Sequence, residues 1–410
     1  MIYRIYIILL ICLIAESCNP DLSSPSIPID EKKVLNGTKS LSIETETIIE
    51  GVYRIKPAAD EFGQFAVIKK TGEQFTVFCG KSVSYFILYS GQKQGNIYFE
   101  GYWRFAQNSN TGSMSLSITS ANGASDLISG KKPSSLIITG SYNIDGIDKK
   151  MSLEYLRPIN ADTNFYIISH RGGGRNIDRL PASENSVEMI KYCARLGVSG
   201  IEVDVKLTKD SIPVLFHDEY MNKRLINEDY FIGKISDYTY AQLRAYVTLK
   251  NGEKIPTLDE ALKAVLNDTK LKLVWLDCKV PEVVAKIAPL QDKYLKEAKS
   301  KKRSLQILIG IPDEGILGAY KNLTDKSSHP ALCELDSNLF SSSGAIVWAP
   351  RWSLGLQKDM VKSVHDMGKK AFVWTLDVPD FIRTFVKEGS FDGILTNYPT
   401  QVAYEFYAKE

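Results

Sequence analysis

The spacing of apolar residues along this chain changes near residue 163. Between about residues 47 and 158, apolar residues come in short β-type runs such as SYFILYS and NIYFEGYWRFA, which clusters of Gly, Asn, Ser or Lys separate. No interval between these runs is long enough for a crossover helix, so neighbouring strands are expected to pair antiparallel. The pattern predicts an antiparallel all-β domain over residues 46–159, folded as a small barrel or a sandwich.

Beyond residue 163, apolar strands alternate with amphipathic helical segments. The strand candidates begin with FYIISH, GIEVDV and PVLFH, and the helical candidates include TLDEALKAVLND and PDFIRTFVKEG. Residues 163–410 are close in number to the roughly 250 residues of a typical (β/α)8 barrel. We therefore predict an α/β fold with a TIM-type (β/α)8 barrel over residues 163–410. A doubly wound open sheet is the alternative, but the first strand-to-helix turn lacks its GxGxxG fingerprint.

The N-terminal 45 residues follow neither pattern. Residues 1–17 carry one early positive charge and then an apolar run that is too short to span a membrane, which is typical of an export signal. Cys18 follows directly, as in bacterial lipoprotein signals, in which the cysteine is lipidated. Residues 18–45 are rich in Pro, Ser and charge and predict a flexible tether. We expect an exported protein, anchored to the bacterial cell envelope through lipid at Cys18; a plain secretory peptide is the alternative.

Charge and cysteine usage narrow the classes of function. The chain has 50 Lys+Arg and 48 Asp+Glu, a net charge of +2, so no global field favours nucleic acid as a partner. Any site for an anion must therefore be local. Cys79, Cys193, Cys278 and Cys333 lie far apart without a CxxC pair, which indicates neither a zinc site nor a disulfide framework. We interpret these four cysteines as packing residues.

Reactive side chains concentrate at the ends of the predicted barrel strands, where (β/α)8 enzymes bind their substrates. His170 ends the run FYIISH and Arg171 directly follows it, and His217 ends the run PVLFH. The other two histidines, His329 and His365, fall in a loop and on a helical segment, and we interpret them as incidental.

Charged residues two positions apart occur on two of these strands. Glu202 and Asp204 are two residues apart in GIEVDV and so point to the same side, and Asp277 and Lys279 repeat this spacing in VWLDCK. Such a pair is ordinarily a salt-bridged surface ladder. Here the acids alternate with Ile and Val and are expected to face the barrel interior, where unpaired charge is costly. A bound cation explains that burial, and three carboxylates favour Ca²⁺ or Mg²⁺ over zinc.

The ordered motifs HRG, EN, IEVDV, LTKD, PVLFHD, PTLDEAL, VWTL and DGILTN resemble those of the glycerophosphodiester phosphodiesterase family. The resemblance covers about Phe165 to Pro399. It implies hydrolysis of small glycerophosphodiesters to glycerol 3-phosphate and an alcohol, with one divalent cation, Ca²⁺ or Mg²⁺, as cofactor. The implied roles are acid/base catalysis for His170 and His217, metal binding for Glu202, Asp204 and Asp277, and substrate binding for Arg171, Lys279 and Trp374.

This sequence departs from the family pattern at three places. The third metal acid is commonly glutamate and here is Asp277, one methylene shorter. ASENS replaces the usual proline-glutamate-asparagine-threonine run, and we interpret its Glu184 and Asn185 as supports for the ligands rather than ligands. Asn397 stands where an aspartate is common. None of these changes removes a group that transfers a proton.

Two other functions remain open on the sequence. One is a phospholipase C-like enzyme for inositol lipids, which also uses two histidines but generally lacks the metal acids. The other is a weakly catalytic lipoprotein whose β domain binds glycan, lipid or protein. Tyr98, Tyr102, Trp103 and Phe105 are candidates for a ligand-binding face of that domain, although such an aromatic stripe is more often core.

Overall fold

A computed structural model describes residues 34–108 and 110–409. The predicted signal segment 1–17 and the lipidation candidate Cys18 lie outside these residues. Within the two described ranges, no helix has both the length and the apolar content needed to cross a membrane.

The N-terminal domain is a closed barrel of antiparallel strands, in which each strand pairs with the next and the last pairs with the first. Its elements are α1 Ile43–Ile49, β1 Gly51–Lys56, α2 Ala59–Phe62, β2 Phe65–Thr71, β3 Gln74–Cys79, β4 Ser84–Lys93, β5 Asn96–Phe105, β6 Thr111–Ile118, α3 Ala124–Ile128, β7 Ile137–Ile144 and β8 Ile147–Arg157. The antiparallel all-β domain that the sequence predicts is confirmed, in its barrel form.

Apolar side chains fill the interior of this barrel. Along β6 every second residue is buried, because successive side chains of a strand point to opposite faces. Trp103 and Phe105 belong to this core, together with Phe62 and Phe86. Tyr102 is also buried, but on the outer face, against the second domain. These three candidates for a ligand-binding face are therefore packing residues, and the fourth, Tyr98, is half-buried.

Residues 34–45, which the sequence assigns to the flexible tether, contact the β barrel. Lys39 pairs with Gln92 of β4 through two backbone hydrogen bonds of 2.9 and 2.7 Å. The backbone N–H of Val34 donates to Glu100 Oε2 at 3.0 Å, and Ser42 caps α1. The folded domain thus begins before residue 46, because polar side chains and an isolated strand pairing hold this segment.

The C-terminal domain is a closed barrel of parallel strands, which confirms the predicted TIM-type fold. Its strands are β9 Tyr166–Ser169, β10 Gly200–Leu207, β11 Pro213–Leu215, β12 Leu273–Cys278, β13 Gln306–Ile311, β14 Ala331–Cys333, β15 Val347–Trp348, β16 Lys370–Val373 and β17 Gly393–Thr396. The helices are α4 Val187–Cys193, α5 Tyr240–Tyr246, α6 Leu258–Asp268, α7 Val283–Ser300, α8 Glu314–Lys321, α9 Ser337–Ser343, α10 Lys358–Asp366, α11 Pro379–Glu388 and α12 Pro399–Tyr407.

The run PVLFH differs from the other strand candidates because β11 is antiparallel to β10 and is not a barrel strand. β9 pairs with β10 at two residues of β10, Gly200 and Ile201, which begin that strand. The edge of β10 that faces β9 is therefore open from the next residues onward. β11 occupies that edge and runs back toward the barrel, and the N–H of Phe216 donates to the carbonyl of Asp204 at 3.0 Å. This return places His217 at the level of Asp204.

The two domains contact each other through one cluster of apolar residues, which is separate from the interior of the β barrel. Phe78, Tyr85 and Tyr102 of the β barrel lie in the same cluster as Tyr192 and Leu196 of the second domain. The hydroxyl of Tyr192 lies 3.1 Å from that of Tyr85 and 3.3 Å from that of Tyr102. The β barrel is therefore fixed against the parallel barrel by buried packing and hydrogen bonds.

A glycine at this interface tests this apolar cluster. Gly197 has φ +77°, and a Cβ there would lie 2.5 Å from Cζ of Phe78. We expect Gly197→Ala to lower the free energy of unfolding by about 1–2 kcal/mol for the left-handed backbone and by roughly 1–3 kcal/mol more for the clash. Urea unfolding measures the sum.

Gly368→Ala is the matched control, because Gly368 has φ +70° and no described atom within 4 Å of the added Cβ. This variant carries the backbone cost without the clash. Equal losses in the two variants would show that the contact between the domains contributes nothing to stability.

Candidate active site

Three acidic residues meet at the C-terminal end of the parallel barrel. Asp204 of β10 and Asp277 of β12 are register partners, and Glu202 is paired with Trp275 two residues earlier. Each of the three acids offers one carboxylate oxygen, and these oxygens lie within 4.8 Å of one another. The two-residue spacing on β10 and the register between β10 and β12 therefore bring all three carboxylates together.

The environment of these acids fits a divalent cation. Glu202 Oε1 and Asp277 Oδ1 are buried and have no hydrogen-bond partner among the described residues. Burial, and then the charges of Asp204 and Asp277, raise the pKa of Glu202 well above its usual range. Burial also raises the pKa of Asp277. A hard cation such as Ca²⁺ or Mg²⁺ takes oxygen ligands of this kind and offsets the repulsion between them.

Lys279 contacts two of the three acids. Its Nζ lies 2.8 Å from Asp204 Oδ1 and 2.5 Å from Asp277 Oδ2. Burial opposes its charge, but Asp204 and Asp277 together raise the pKa of Lys279 above its usual value. One ammonium cannot balance three carboxylates, so the cluster retains affinity for a further cation.

Asn185 fixes the orientation of Asp204. Its Nδ2 donates to Asp204 Oδ2 at 2.7 Å, and its Oδ1 accepts the backbone N–H of Asp204 at 3.2 Å. The second carboxylate oxygen of Asp204 thereby stays on the side of Lys279. Asn185 lies behind the acidic cluster, where the sequence interpretation puts it.

The glycine-rich turn HRGGG brings Arg171 onto the cluster. Arg171 has φ +54° and Gly172 has φ +78°, a left-handed turn in which glycine is favoured at the second position. The backbone N–H of Arg171 donates to Glu202 Oε2 at 2.8 Å. A Cβ on Gly173 would lie 2.6 Å from Met189, so this glycine lets the turn approach α4 closely.

His170 is held by a residue pair that the sequence analysis did not assign. Asn397 Nδ2 donates to Asp377 Oδ2 at 2.6 Å, which turns Asn397 Oδ1 toward His170 Nδ1 at 2.9 Å. The ring therefore keeps its proton on Nδ1 and directs Nε2 to the acids, 3.7 Å from Glu202 Oε2. Burial lowers the pKa of His170 to about 4. One feature of the sequence could have indicated this contact, because Asn397 stands where the family commonly has an aspartate.

His217 is held through both ring nitrogens. Arg171 Nη2 donates to its Nε2 at 2.8 Å, and its Nδ1 donates to Asp218 Oδ1 at 2.6 Å. Glu184, which is buried, pairs with Arg171 at 2.9 Å and with Arg224 at 2.9 Å, and Arg224 also pairs with Asp218. Glu184 thus orients both groups that hold His217. Sequence reasoning missed Asp218 and Arg224, although Asp218 follows His217 directly in PVLFHD.

These groups line one cavity of about 450 Å³. Glu202, Asp277, both histidines and Lys279 face it, and Trp374 lies at its wall. The other lining residues were not predicted from the sequence to belong to the site, and they are Trp275, Cys278, Pro312, Asp313, Glu334, Arg351, Thr375 and Leu395.

Residues interpreted as incidental lie away from this cavity. His329 Nδ1 is 2.9 Å from Gln291 Oε1, and His365 Nε2 is 2.8 Å from Asp392 Oδ2. All four cysteines of the described residues are free and buried.

Comparison with known proteins places this site in a family. The sequence model of the Glycerophosphoryl diester phosphodiesterase family matches residues 170–401, more than half of the chain. The chain belongs to the glycerophosphoryl diester phosphodiesterase family. The match begins at His170 and includes the three acids, His217, Lys279 and Trp374.

Individual members of the family resemble the barrel domain. A glycerophosphodiester phosphodiesterase of Caldanaerobacter subterraneus subsp. tengcongensis is 24% identical over 253 residues, 57% of this chain and 94% of that protein. Human glycerophosphodiester phosphodiesterase 1 is 32% identical over 146 residues, 32% of this chain and 40% of that protein. A solved glycerophosphodiester phosphodiesterase from Parabacteroides distasonis superposes with TM-score 0.46 at 24% identity, over 58% of this chain and 95% of that one.

The buried Glu184 of this phosphodiesterase-family chain gives a testable stability difference. We expect Glu184→Gln to lower the free energy of unfolding by about 3 kcal/mol, because it leaves Arg171 and Arg224 without their shared carboxylate. Chemical denaturation measures the loss.

Glu405→Gln is the control, since Glu405 is also buried but its one ion pair within residues 34–108 and 110–409 is with the partly exposed Arg383. Its other contact is a hydrogen bond of 3.2 Å from Gln401 Nε2, a neutral donor. Its expected loss is about 1 kcal/mol or less. A loss in Glu184→Gln no larger than in the control would contradict the assignment of Glu184 as the common support.

Proposed function

We propose that this chain hydrolyses glycerophosphodiesters to glycerol 3-phosphate and an alcohol, with one divalent cation, Ca²⁺ or Mg²⁺, bound by Glu202, Asp204 and Asp277. The observation that carries the proposal is the cluster of three acids, two buried and one half-buried, beside a cavity that Glu202, Asp277 and both histidines line. Family membership supports the reaction class. We also propose, from the sequence alone, that the protein is exported and lipid-anchored to the cell envelope at Cys18.

A phosphodiester is an anion that repels nucleophiles, so its site must supply positive charge. A bound cation neutralises phosphate oxygens and the charge that grows in the transition state. Arg171 and Lys279 add two fixed cations, since the guanidinium of Arg171 reaches His217 and the ammonium of Lys279 reaches the acids. Together these groups hold the phosphate between the two histidines.

Proton transfer falls to the Nε2 atoms of His170 and His217. In both rings Nδ1 donates to an oxygen acceptor, Asn397 in one and Asp218 in the other, so Nε2 carries the lone pair. Nε2 of His170 faces the acids, whereas Nε2 of His217 accepts from Arg171, whose N–H turns to the phosphate before His217 exchanges a proton. One histidine takes a proton from the attacking oxygen, and the other gives a proton to the leaving alkoxide. The attacking oxygen is that of water or of the neighbouring glycerol hydroxyl, which would form a cyclic phosphate that is hydrolysed afterwards.

A turnover assay across several glycerophosphodiesters, with and without chelator, tests this function against its rivals. We expect chelation to abolish release of glycerol 3-phosphate and either Ca²⁺ or Mg²⁺ to restore it. Full activity in chelator would favour the phospholipase C-like alternative. Ligand binding without turnover, even with metal supplied, would favour the binding lipoprotein.

In the same assay, His170→Ala and His217→Ala should each lower kcat by about 10²–10⁴-fold, because each removes one proton-transfer group. His365→Ala is the control, since His365 pairs with Asp392 away from the cavity, and it should leave kcat unchanged. Near-normal turnover in either cavity variant would exclude the two-histidine mechanism.

A further inference from the structure

One acidic residue of the cavity has no role in the chemistry described above. Glu334 directly follows β14, and its backbone N–H donates to the carbonyl of Ile311 at 3.1 Å, which extends the sheet by one residue. The side chain lines the cavity. Its Oε1 atom is buried and has no hydrogen-bond partner among the described residues.

Glu334 is separate from the proposed metal ligands. The carboxylate oxygens within 4.8 Å of one another belong to Glu202, Asp204 and Asp277, and Glu334 is not among them. It therefore presents a further acceptor to the substrate cavity, beside the cation site rather than in it.

The cations of the cavity do not pair with Glu334. Lys279 is engaged by Asp204 and Asp277. The guanidinium of Arg351 lies over the ring of Trp374, 4.8 Å from its centroid. No ion pair joins Glu334 to another residue within the ranges 34–108 and 110–409. Burial, and then the charge of Asp277, raise the pKa of Glu334 well above its usual range, so ionisation is costly until a cation arrives.

We propose that Glu334 binds a primary ammonium group on the alcohol half of the substrate, as in esters of ethanolamine or serine. This inference rests on the proposed function. An ammonium brings three N–H donors and a positive charge, which satisfy both the unpaired Oε1 and the carboxylate charge. A quaternary ammonium brings the charge without a donor, and a glycerol head group brings hydroxyl donors without the charge.

Measuring kcat/KM for three glycerophosphodiesters in the metal-loaded protein tests the inference. We expect the wild-type protein to prefer glycerophosphoethanolamine over both glycerophosphocholine and glycerophosphoglycerol by about tenfold or more, the usual worth of a hydrogen bond to a charged group. In Glu334→Gln, kcat/KM for the ethanolamine ester should fall by about 10- to 100-fold. The value for glycerophosphoglycerol should stay within about twofold.

Asp313→Asn is the matched control. Asp313 also lines the cavity, but its Oδ1 accepts the backbone N–H of Ile316 as the N-cap of α8. Asparagine caps a helix as well as aspartate does, so this variant removes a similar charge without loss of structure. Its preference among the three esters should match that of the wild-type protein.

Three other outcomes have separate meanings. Equal losses on all three esters in Glu334→Gln would overturn the inference and leave the proposed function intact, because glycerol is common to all of them. Equal rates for the choline and ethanolamine esters in the wild-type protein would overturn the ammonium assignment without any variant. Absence of turnover on every ester with metal supplied would instead refute the proposed function.

Discussion

Burying Glu202, Asp204 and Asp277 side by side at the mouth of a barrel costs free energy, because like charges repel and water is excluded. The rest of the site is arranged around that cost. Lys279 supplies one positive charge, Asn185 donates to Asp204, and the backbone N–H of Arg171 donates to Glu202. These contacts hold the carboxylates in place, and two of their oxygens stay without a protein partner. In the proposed function a divalent cation completes this balance, and the proposed chemistry depends on it.

The β barrel is linked to this site through the loop that follows the HRGGG turn. Arg104 of β5 is fully buried and donates through Nη2 to the carbonyl of Asp178 at 2.9 Å. Two residues earlier, the N–H of Asn176 donates to Glu184, the carboxylate that holds Arg171 and hence His217. The apolar residues that fill the β barrel and the contact of Arg104 with this loop favour a structural role for the β domain, in support of the loop, over a role in ligand binding.

Much of the architecture could be read from the sequence because apolar periodicity is local. Short apolar runs without room for a crossover helix predicted antiparallel strands, in a barrel or a sandwich. Alternating strands and helices predicted the parallel barrel, and two-residue spacing predicted that Glu202 and Asp204 lie on one face. The exceptions depend on pairings distant in sequence. β11 turns back because β9 leaves an edge of β10 open, and residues 34–45 are held by contacts with β4 and β5. Asp377 and Arg224 join the site through partners that no local spacing encodes, and Glu334 reaches it because its backbone pairs with Ile311 of the neighbouring strand.

The central claim is that the three buried carboxylates bind one divalent cation. Anomalous diffraction from crystals grown with Mn²⁺, a scattering substitute for Mg²⁺, tests it directly. The account predicts a single peak about 2.0–2.6 Å from one oxygen each of Glu202, Asp204 and Asp277. A peak elsewhere in the cavity, or no peak beside these oxygens at millimolar Mn²⁺, would contradict it.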